Sequence, residues 1–204
     1  MDAVAYSTKT ELRAEILATR RGLAPQLHDA EAHALSGHLP AFIGVGETVC
    51  AYVPVGSEPG SAELIDSLLR SGVRVLLPVA HHDAAGLPVP LLWGEYRPGG
   101  LVAARFGLQE PAEPWLPAET IGAASVVLVP ALAVDRAGVR LGRGAGFYDR
   151  SLPLASPAAR LVAVVRDDEL VERLPAEPHD VRMTHALTPN GGLTELDQGM
   201  IEPT

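Results

Sequence analysis

Residues 125–150 of this chain read SVVLVPALAVDRAGVRLGRGAGFYDR, an apolar run followed by a segment rich in glycine and arginine. The apolar run, residues 125–129, predicts a buried strand. The glycines let the backbone behind it take positive φ angles and approach a ligand closely, and residues 144–152 are predicted to form a helix. A strand, a glycine loop and a helix in this order indicate an α/β fold with a ligand-binding loop.

The segment at residues 140–150 has the composition of a polyphosphate site. Successive N–H groups of such a loop can turn toward one anion, and Arg140 and Arg143 add forked donors suited to phosphate oxygens. Asp149 follows where the loop turns into the predicted helix, where a carboxylate can hold a magnesium ion that bridges phosphates. The spacing matches neither a Walker loop nor the dinucleotide fingerprint, and a solvated glycine turn with scattered charges is the alternative.

The rest of the chain alternates apolar runs with helical patterns. Helices are predicted over residues 8–22, 25–39, 61–72 and 168–174, and strands over residues 49–53, 73–79, around Leu91, 161–165 and 183–187. Continuous apolar strands separated by helices indicate a parallel sheet covered on both faces. We therefore predict one domain over residues 1–204, a three-layer α/β/α fold with a mostly parallel central sheet, Rossmann-like.

Composition restricts the ligand and the compartment. With a net charge of −9 over 204 residues, the chain lacks the basic footprint expected of a protein that binds nucleic acid or an anionic membrane. The chain has one cysteine, Cys50, which lies in an apolar run. A single cysteine excludes an internal disulfide framework and a cysteine zinc site. No signal-sequence pattern opens the chain and no apolar run approaches about twenty residues, which predicts a cytoplasmic protein.

Loops that follow parallel strands are where such folds bind ligands. One such loop carries Glu58, a second carries Asp135 ahead of the glycine segment, and a third carries residues 166–168. Glu58 could orient a ligand that has N–H donors, or it could simply cap the helix that follows.

A basic stripe is predicted on the first helix. Lys9, Arg13 and Arg20 are spaced four and seven residues apart, which places them within about 40° of one another on a helical wheel. Either an anion faces this stripe or it is a solvated basic edge.

Taken together and in order, these residues resemble the 5-formyltetrahydrofolate cyclo-ligase family, also called methenyltetrahydrofolate synthetases. The resemblance covers nearly the whole chain. Its motifs are KxxLRxxxxxxR from Lys9, YxPxxSEP from Tyr52, FGLQEP at 106–111, the segment at 129–150 and LPAEPHDVRMTHALTP near the end. Such enzymes use ATP and magnesium to convert 5-formyltetrahydrofolate into 5,10-methenyltetrahydrofolate, releasing ADP and phosphate.

The resemblance also implies roles for individual residues. Lys9 and Arg143 would act as catalytic groups, Asp149 and Asp180 would hold Mg²⁺, and Val53, Glu58 and Phe147 would line the folate site. The ATP-binding residues implied in this way are Lys9, Arg13, Arg140, Leu141, Gly142, Arg143, Gly144, Ala145, Gly146, Phe147 and Tyr148. The implied ligands are ATP and a reduced folate, and we expect a monomer or weak homodimer.

Several positions depart from the family pattern. Ala145 and Phe147 stand where the family loop commonly reads GRGGGYYD, Ala131 and Val134 stand where PGLAFD is usual, and Thr184 replaces a common acid. These departures leave open an alternative, a nucleotide-binding paralogue of the same fold without folate turnover. A non-enzymatic regulator is a further alternative, although the separate partner domain expected of one is not evident.

Overall fold

The computed structural model describes residues 8–177 and 180–197. The helices are α1 (Lys9–Arg21), α2 (Pro25–His38), α3 (Ala62–Arg70) and α4 (Phe147–Ser151). The strands are β1 (Thr48–Cys50), β2 (Arg74–Val79), β3 (Leu92–Glu95), β4 (Leu101–Ala103), β5 (Gln109–Pro111), β6 (Val126–Pro130), β7 (Ala133–Asp135), β8 (Arg140–Leu141), β9 (Arg160–Val164), β10 (Leu170–Val171), β11 (His185–Thr188) and β12 (Gly192–Glu195).

The central sheet has seven strands in the order β12-β11-β9-β6-β1-β2-β3. The five inner strands are parallel, and only the edge strands β3 and β12 run antiparallel to their neighbours. The prediction of a mostly parallel central sheet is therefore confirmed.

Both faces of this sheet are buried because the inner positions of its central strands carry apolar side chains on both faces. In β6, Val126 and Leu128 face one hydrophobic cluster while Val127 and Val129 face the other. The first cluster is covered by α2 and α3, and the second by α4 and short 3-10 helices. The result is the predicted three-layer arrangement. Cys50 is buried in the second cluster, as expected.

Helix α1 packs away from the central sheet. Its Leu12 contacts a third cluster formed with Leu132, Val139 and Leu141, beside a small sheet in the order β10-β7-β8. Thr8 caps α1 by accepting a hydrogen bond from the backbone N–H of Glu11, as the sequence pattern indicated. A hairpin of β4 and β5 completes the described strands.

Two predicted helices differ from the structure. The one at residues 168–174 is wrong: a 3-10 turn, Asp167–Glu169, leads into β10, whose Leu170 pairs with Val134 of β7. The helix predicted at residues 144–152 begins later, at Phe147. Gly144 and Gly146 have φ angles of +95° and +81°, which are not helical, so the regular helix starts only after them. Strand β1 ends at Cys50, short of the predicted Val53.

None of the helices in the described ranges is long and apolar enough to cross a membrane.

Candidate active site

A cavity of about 1190 Å³ opens at the carboxyl edge of the central sheet, beside β1 and β6. The chain continues from β1 to its neighbour β2 on one side and from β6 to its neighbour β9 on the other. The strand order therefore reverses between β1 and β6. The crevice at such a reversal is where open α/β sheets bind ligands.

Most of the residues expected in the site line this cavity. The loop after β1 contributes Val53 and Glu58, and the glycine segment with α4 contributes Arg140, Gly142, Arg143, Gly144, Ala145, Gly146, Phe147, Tyr148 and Asp149. Leu141 does not reach the wall, because its side chain is buried in the cluster beneath α1.

Two glycines of the segment, Gly144 and Gly146, have backbone conformations that other residues rarely adopt. Gly144 and Gly146 lie in the left-handed region, and a Cβ at Gly146 would approach Arg150 Nη1 to 2.5 Å. A Cβ at Gly142 would lie 2.6 Å from Arg140 Nη1. The segment thus brings backbone close to guanidinium groups, which is the composition of an anion-binding loop.

Arg140 is fixed at the bottom of the loop. Its Nη2 donates to Asp149 Oδ1 at 2.6 Å, and its guanidinium lies over the Tyr148 ring, 5.7 Å from the centroid. The Arg140 side chain is only 7% exposed, whereas that of Asp149 is 36% exposed. Asp149 therefore presents its carboxylate to the cavity while orienting the arginine.

Glu58 joins the loop after β1 to the glycine segment. Its Oε1 lies 3.0 Å from Arg143 Nε, and its Oε2 accepts a hydrogen bond from Val55 N at 3.0 Å. Glu58 is buried, but Arg143 remains about half exposed. The N-cap of α3 is Ser61, so the interpretation of Glu58 as a helix cap is wrong.

Arg13 contacts the glycine segment from α1, outside the cavity, whereas Lys9 contacts two carboxylates near the C-terminal end of the chain. Arg13 Nε donates to the carbonyl oxygen of Gly142 at 2.9 Å. Lys9 Nζ lies 3.1 Å from Asp180 Oδ2 and 3.4 Å from Glu177 Oε1. Lys9, Arg13 and Asp180 are not among the residues that line the cavity.

The three basic residues of the α1 stripe do not all face one ligand. Arg20 is 2% exposed, and its Nε and Nη2 each lie 2.6 Å from a carboxylate oxygen of Glu169, while Nη2 also donates to the carbonyl of Ala131 at 2.8 Å. The anion opposite Arg20 is thus a side chain of the same protein. The expectation of one stripe of three ligand-facing cations is wrong at Arg20.

In the two other loops predicted to bind a ligand, the carboxylates of Asp135 and Asp167 accept hydrogen bonds from backbone N–H groups of the protein itself. Asp135 is 1% exposed and accepts hydrogen bonds from three backbone N–H groups, those of Ala137, Val139 and Leu174. Asp167 accepts from the backbone of the turn at Asn190, and Arg166 pairs with Glu31 of α2 at 3.0 Å. These carboxylates therefore stabilise loops and do not line the cavity.

Several wall residues were missed by the sequence reasoning. They include Tyr52, Ala80, His82, Leu91, Gln109 and Glu110. Glu110 Oε1 accepts a hydrogen bond from Ala80 N at 2.9 Å, and the His82 ring meets the Phe147 ring edge-on with centroids 5.3 Å apart. The FGLQEP motif was the available signal for Gln109 and Glu110, whereas His82 lies in a stretch with no motif.

The phenols in the wall stay protonated. Burial raises the pKa of Tyr52 and of Tyr148, and the nearby Glu58 carboxylate raises both further. Each hydroxyl is therefore a hydrogen-bond donor at neutral pH.

No group of three or more His, Cys, Asp or Glu side chains within residues 8–177 and 180–197 could hold a metal ion alone. Asp149 still fits a magnesium ion, because Mg²⁺ in phosphate sites uses one or two carboxylates and takes its other ligands from phosphates and water. Asp180 is the second candidate carboxylate, and its Oδ2 accepts a hydrogen bond from Lys9 of α1.

These features define a Rossmann-like α/β protein with an arginine- and glycine-rich loop at the switch point of its sheet. A family model described as the 5-formyltetrahydrofolate cyclo-ligase family matches residues 5–189. The chain belongs to this family.

Named relatives agree with this assignment. A 5-formyltetrahydrofolate cyclo-ligase of Mycolicibacterium smegmatis is 63% identical over 189 residues, covering 93% of this chain and 97% of the relative. The enzyme of that name from Escherichia coli K12 is 31% identical over 175 residues, covering 84% and 94%.

Solved structures have the same fold. A 5,10-methenyltetrahydrofolate synthetase of Aquifex aeolicus superposes with a TM-score of 0.75 at 25% identity, covering 96% of each chain. The synthetase of Mycoplasma pneumoniae gives a TM-score of 0.65 at 18% identity, covering 86% of this chain and 94% of that one.

Proposed function

We propose that this protein converts 5-formyltetrahydrofolate to 5,10-methenyltetrahydrofolate with consumption of ATP and release of ADP and phosphate. The observation that carries the proposal is the single cavity in which the arginine-rich anion loop faces Glu58, at the switch point of the sheet. Family membership supplies the reaction, and the cavity supplies one compartment in which a phosphate donor and a ring with N–H donors can meet.

The reaction explains why both ligands must share a cavity. A formamide oxygen is a poor leaving group, so the γ-phosphoryl group of ATP is first transferred to the formyl oxygen and ADP departs. The neighbouring secondary amine then attacks the formyl carbon, the carbon–oxygen bond breaks with release of phosphate, and the amine proton is lost. No side-chain nucleophile is required, which agrees with the buried position of Cys50.

The glycine segment is suited to the phosphates. Arg143 is half exposed in the cavity and can turn from Glu58 to a phosphate oxygen, where a guanidinium stabilises charge in the transition state. Arg140 and the backbone N–H groups of residues 142–146 would hold the remaining oxygens. Arg13 would support the loop through its hydrogen bond to Gly142, and Lys9, paired with Asp180 in the free protein, would act as the catalytic cation that the resemblance implies.

The loop after β1 is suited to the folate. Val53 and Phe147 give apolar surface for a flat ring, and the Glu58 carboxylate can accept hydrogen bonds from the ring N–H and amino groups of a pterin. Phe147 makes an edge-to-face contact with His82, which also lines the cavity.

Asp149, with Asp180 as a second candidate, would hold the magnesium ion. When bound, the ion neutralises phosphate charge and aligns the γ-phosphoryl group. The structural support is the Asp149 carboxylate, which is open to the cavity and already held by Arg140.

The remaining expectations concern partners and location. The net charge of −9 supports small-molecule ligands met by local arginines, without nucleic acid or membrane. We retain a cytoplasmic monomer or weak homodimer as part of the proposal.

An absorbance assay tests the function. Protein mixed with 5-formyltetrahydrofolate and Mg-ATP should produce growth of the methenyl-folate absorbance band, and omission of ATP should abolish it. ATP binding by calorimetry with no absorbance growth would instead identify a nucleotide-binding paralogue without folate turnover.

A further inference from the structure

Arg21, the last residue of α1, lines the cavity and is exposed to solvent. Its guanidinium makes no hydrogen bond and no ion pair with any residue that the structure describes. Ligand cavities contain a few polar groups that fix the orientation of the ligand. An exposed cation of the wall without a protein partner is available for an anionic group of a bound ligand.

The other three arginines that line the cavity each have a carboxylate partner. The pairs are Arg20 with Glu169, Arg140 with Asp149, and Arg143 with Glu58. Under the proposed function, the last two arginines bind phosphates of ATP. Among the described residues, Arg21 is therefore the arginine of the wall that remains for an anion other than a phosphate.

Two contacts tie the end of α1 to the walls of the cavity. Arg20 Nη2 donates to the carbonyl oxygen of Ala131 at 2.8 Å, which joins the end of α1 to the segment after β6. A few residues further along the chain, His28 Nε2 lies 3.2 Å from the carbonyl oxygen of Glu58, which joins the start of α2 to the loop after β1. Arg21 precedes the short turn between these two helices, so it lies at the rim of the cavity, on the side of the loop that carries Glu58.

Arg21 is also displaced from the place where α1 meets the glycine segment. That contact is made by Arg13, whose Nε donates to the carbonyl oxygen of Gly142. Arg21 follows Arg13 by eight residues, which is about 12 Å along the axis of an α-helix. The phosphates proposed for the glycine segment therefore do not account for Arg21.

We propose that Arg21 binds a carboxylate of the glutamate tail of the reduced folate. The inference rests on the proposed function and adds a specificity-determining residue to it. A reduced folate has its pterin ring at one end and a glutamate with two carboxylates at the other. With the pterin at the buried Glu58, the tail extends toward the exposed rim, where Arg21 lies. A guanidinium has forked N–H donors that match a carboxylate.

The position of Arg21 at a helix end offers a competing explanation. A cation in the last turn of a helix is stabilised by the helix dipole, and this would make Arg21 a residue of the fold alone. The two explanations differ in what they predict. A dipole contribution acts on the stability of the protein with or without a ligand, whereas binding to the tail depends on the charge of the ligand.

The variant Arg21→Ala tests the inference. We expect the dissociation constant of 5-formyltetrahydrofolate, measured by calorimetry with a non-hydrolysable ATP analogue present, to rise about threefold to fivefold, because ion pairs at exposed positions are weak. The affinity for the ATP analogue should stay unchanged. In turnover, KM for the folate should rise by the same factor with kcat unchanged, since the tail is remote from the formyl group.

Arg97→Ala is the matched control. Arg97 is exposed and does not line the cavity, and its removal changes the net charge of the protein by the same amount. Its folate affinity should equal that of the wild-type protein, and Arg21→Lys, which keeps the charge, should retain most of the affinity. A loss in Arg97→Ala as large as that in Arg21→Ala would indicate an effect of net charge and overturn the inference.

A second ligand identifies the group that Arg21 binds. In the diamide of 5-formyltetrahydrofolate, both glutamate carboxylates are replaced by carboxamides of the same shape. The wild-type protein should bind the diamide about threefold to fivefold more weakly than the folate, and Arg21→Ala should bind both ligands alike, because the variant and the diamide remove the same interaction.

Three results would overturn the inference alone: equal weakening of the folate and the diamide in Arg21→Ala, wild-type folate affinity in Arg21→Ala, or a loss confined to the ATP analogue. A lower melting temperature of Arg21→Ala with wild-type folate affinity would assign the residue to the helix dipole. Absence of folate binding in the wild-type protein would overturn the proposed function together with the inference.

Discussion

Arg143 and Arg140 each contact a carboxylate of the same site, Glu58 and Asp149 respectively. These two ion pairs orient the guanidinium groups of Arg140 and Arg143 in the free protein. The net charge of the whole protein is −9. Under the proposed function, a polyphosphate would displace the carboxylates because it offers more negative charge and several oxygens.

Arg143→Ala should weaken ATP binding about tenfold to a hundredfold, because a charge-assisted hydrogen bond contributes about 1.5–3 kcal/mol. Calorimetry with a non-hydrolysable analogue measures this directly. Arg136→Ala is the matched control, since Arg136 pairs with Glu172 on the exposed surface. Equal ATP affinity in both variants would refute the role assigned to Arg143.

Asp149→Asn should lower activity steeply and raise the magnesium concentration needed for half-maximal rate. The amide keeps the shape of the side chain but removes the charge that compensates the ion. Folate binding without nucleotide should be nearly unchanged, and Asp180→Asn should show the same pattern more weakly. A magnesium titration checks both, and a wild-type magnesium dependence for Asp149→Asn would end its assignment as a ligand.

At the level of elements, α1 connects the small sheet to the site. Arg13, midway along the helix, holds the carbonyl of Gly142, while Arg20 near its end is buried against Glu169 and the carbonyl of Ala131. Ala131 lies in the cavity wall directly after β6. The position of the helix therefore sets the back of the glycine segment and one side of the cavity.

Arg20→Ala should destabilise the fold by about 3–5 kcal/mol, because it leaves the Glu169 carboxylate buried without its partner. Urea unfolding measures the change. Arg136→Ala should cost no more than about 1 kcal/mol, since its ion pair is exposed. The double variant Arg20→Met with Glu169→Met should recover much of the loss; if Arg20→Ala is no worse than Arg136→Ala, the buried pair is not a stabilising contact.

Across the whole molecule, the cavity joins two loops that are far apart in sequence. The Glu58–Arg143 pair bridges them, and it cannot stay intact when Arg143 binds a phosphate and Glu58 binds a pterin. Under the proposed function, each ligand would therefore remove a partner that competes with the other, and we expect the two binding events to be coupled.

Folate affinity should consequently rise at least about fivefold when a non-hydrolysable ATP analogue is present. In Arg143→Ala, folate alone should bind at least as tightly as to the wild-type protein, and the analogue should no longer change its affinity. Titrations of folate with and without the analogue give both values. Identical folate affinities in the wild-type protein under the two conditions would contradict coupling through this pair.

The sequence was sufficient for elements that depend on local signals. Helix α1 follows from the Thr8 cap and the apolar spacing behind it, and the buried strands β6 and β9 follow from continuous apolar runs. Residues 168–174 were predicted to form a short helix. Pairing of β10 with β7 decides otherwise, and no local pattern contains that pairing.

The candidate site likewise has features that could be predicted from the sequence and features that could not. The glycine segment and its arginines were identifiable from the sequence because close backbone approach and phosphate binding restrict residue type within a few neighbouring positions. What each charged side chain faces was not identifiable. Arg20 shares a helix face with Lys9 and Arg13, but its partner Glu169 is 149 residues away, and only the packing of α1 on the small sheet brings them together. The tertiary structure alone likewise decided that Tyr52 has a partner in Pro59 and that the Tyr148 hydroxyl has none among the described residues, because hydrogen bonds of buried side chains depend on which distant segments pack around them.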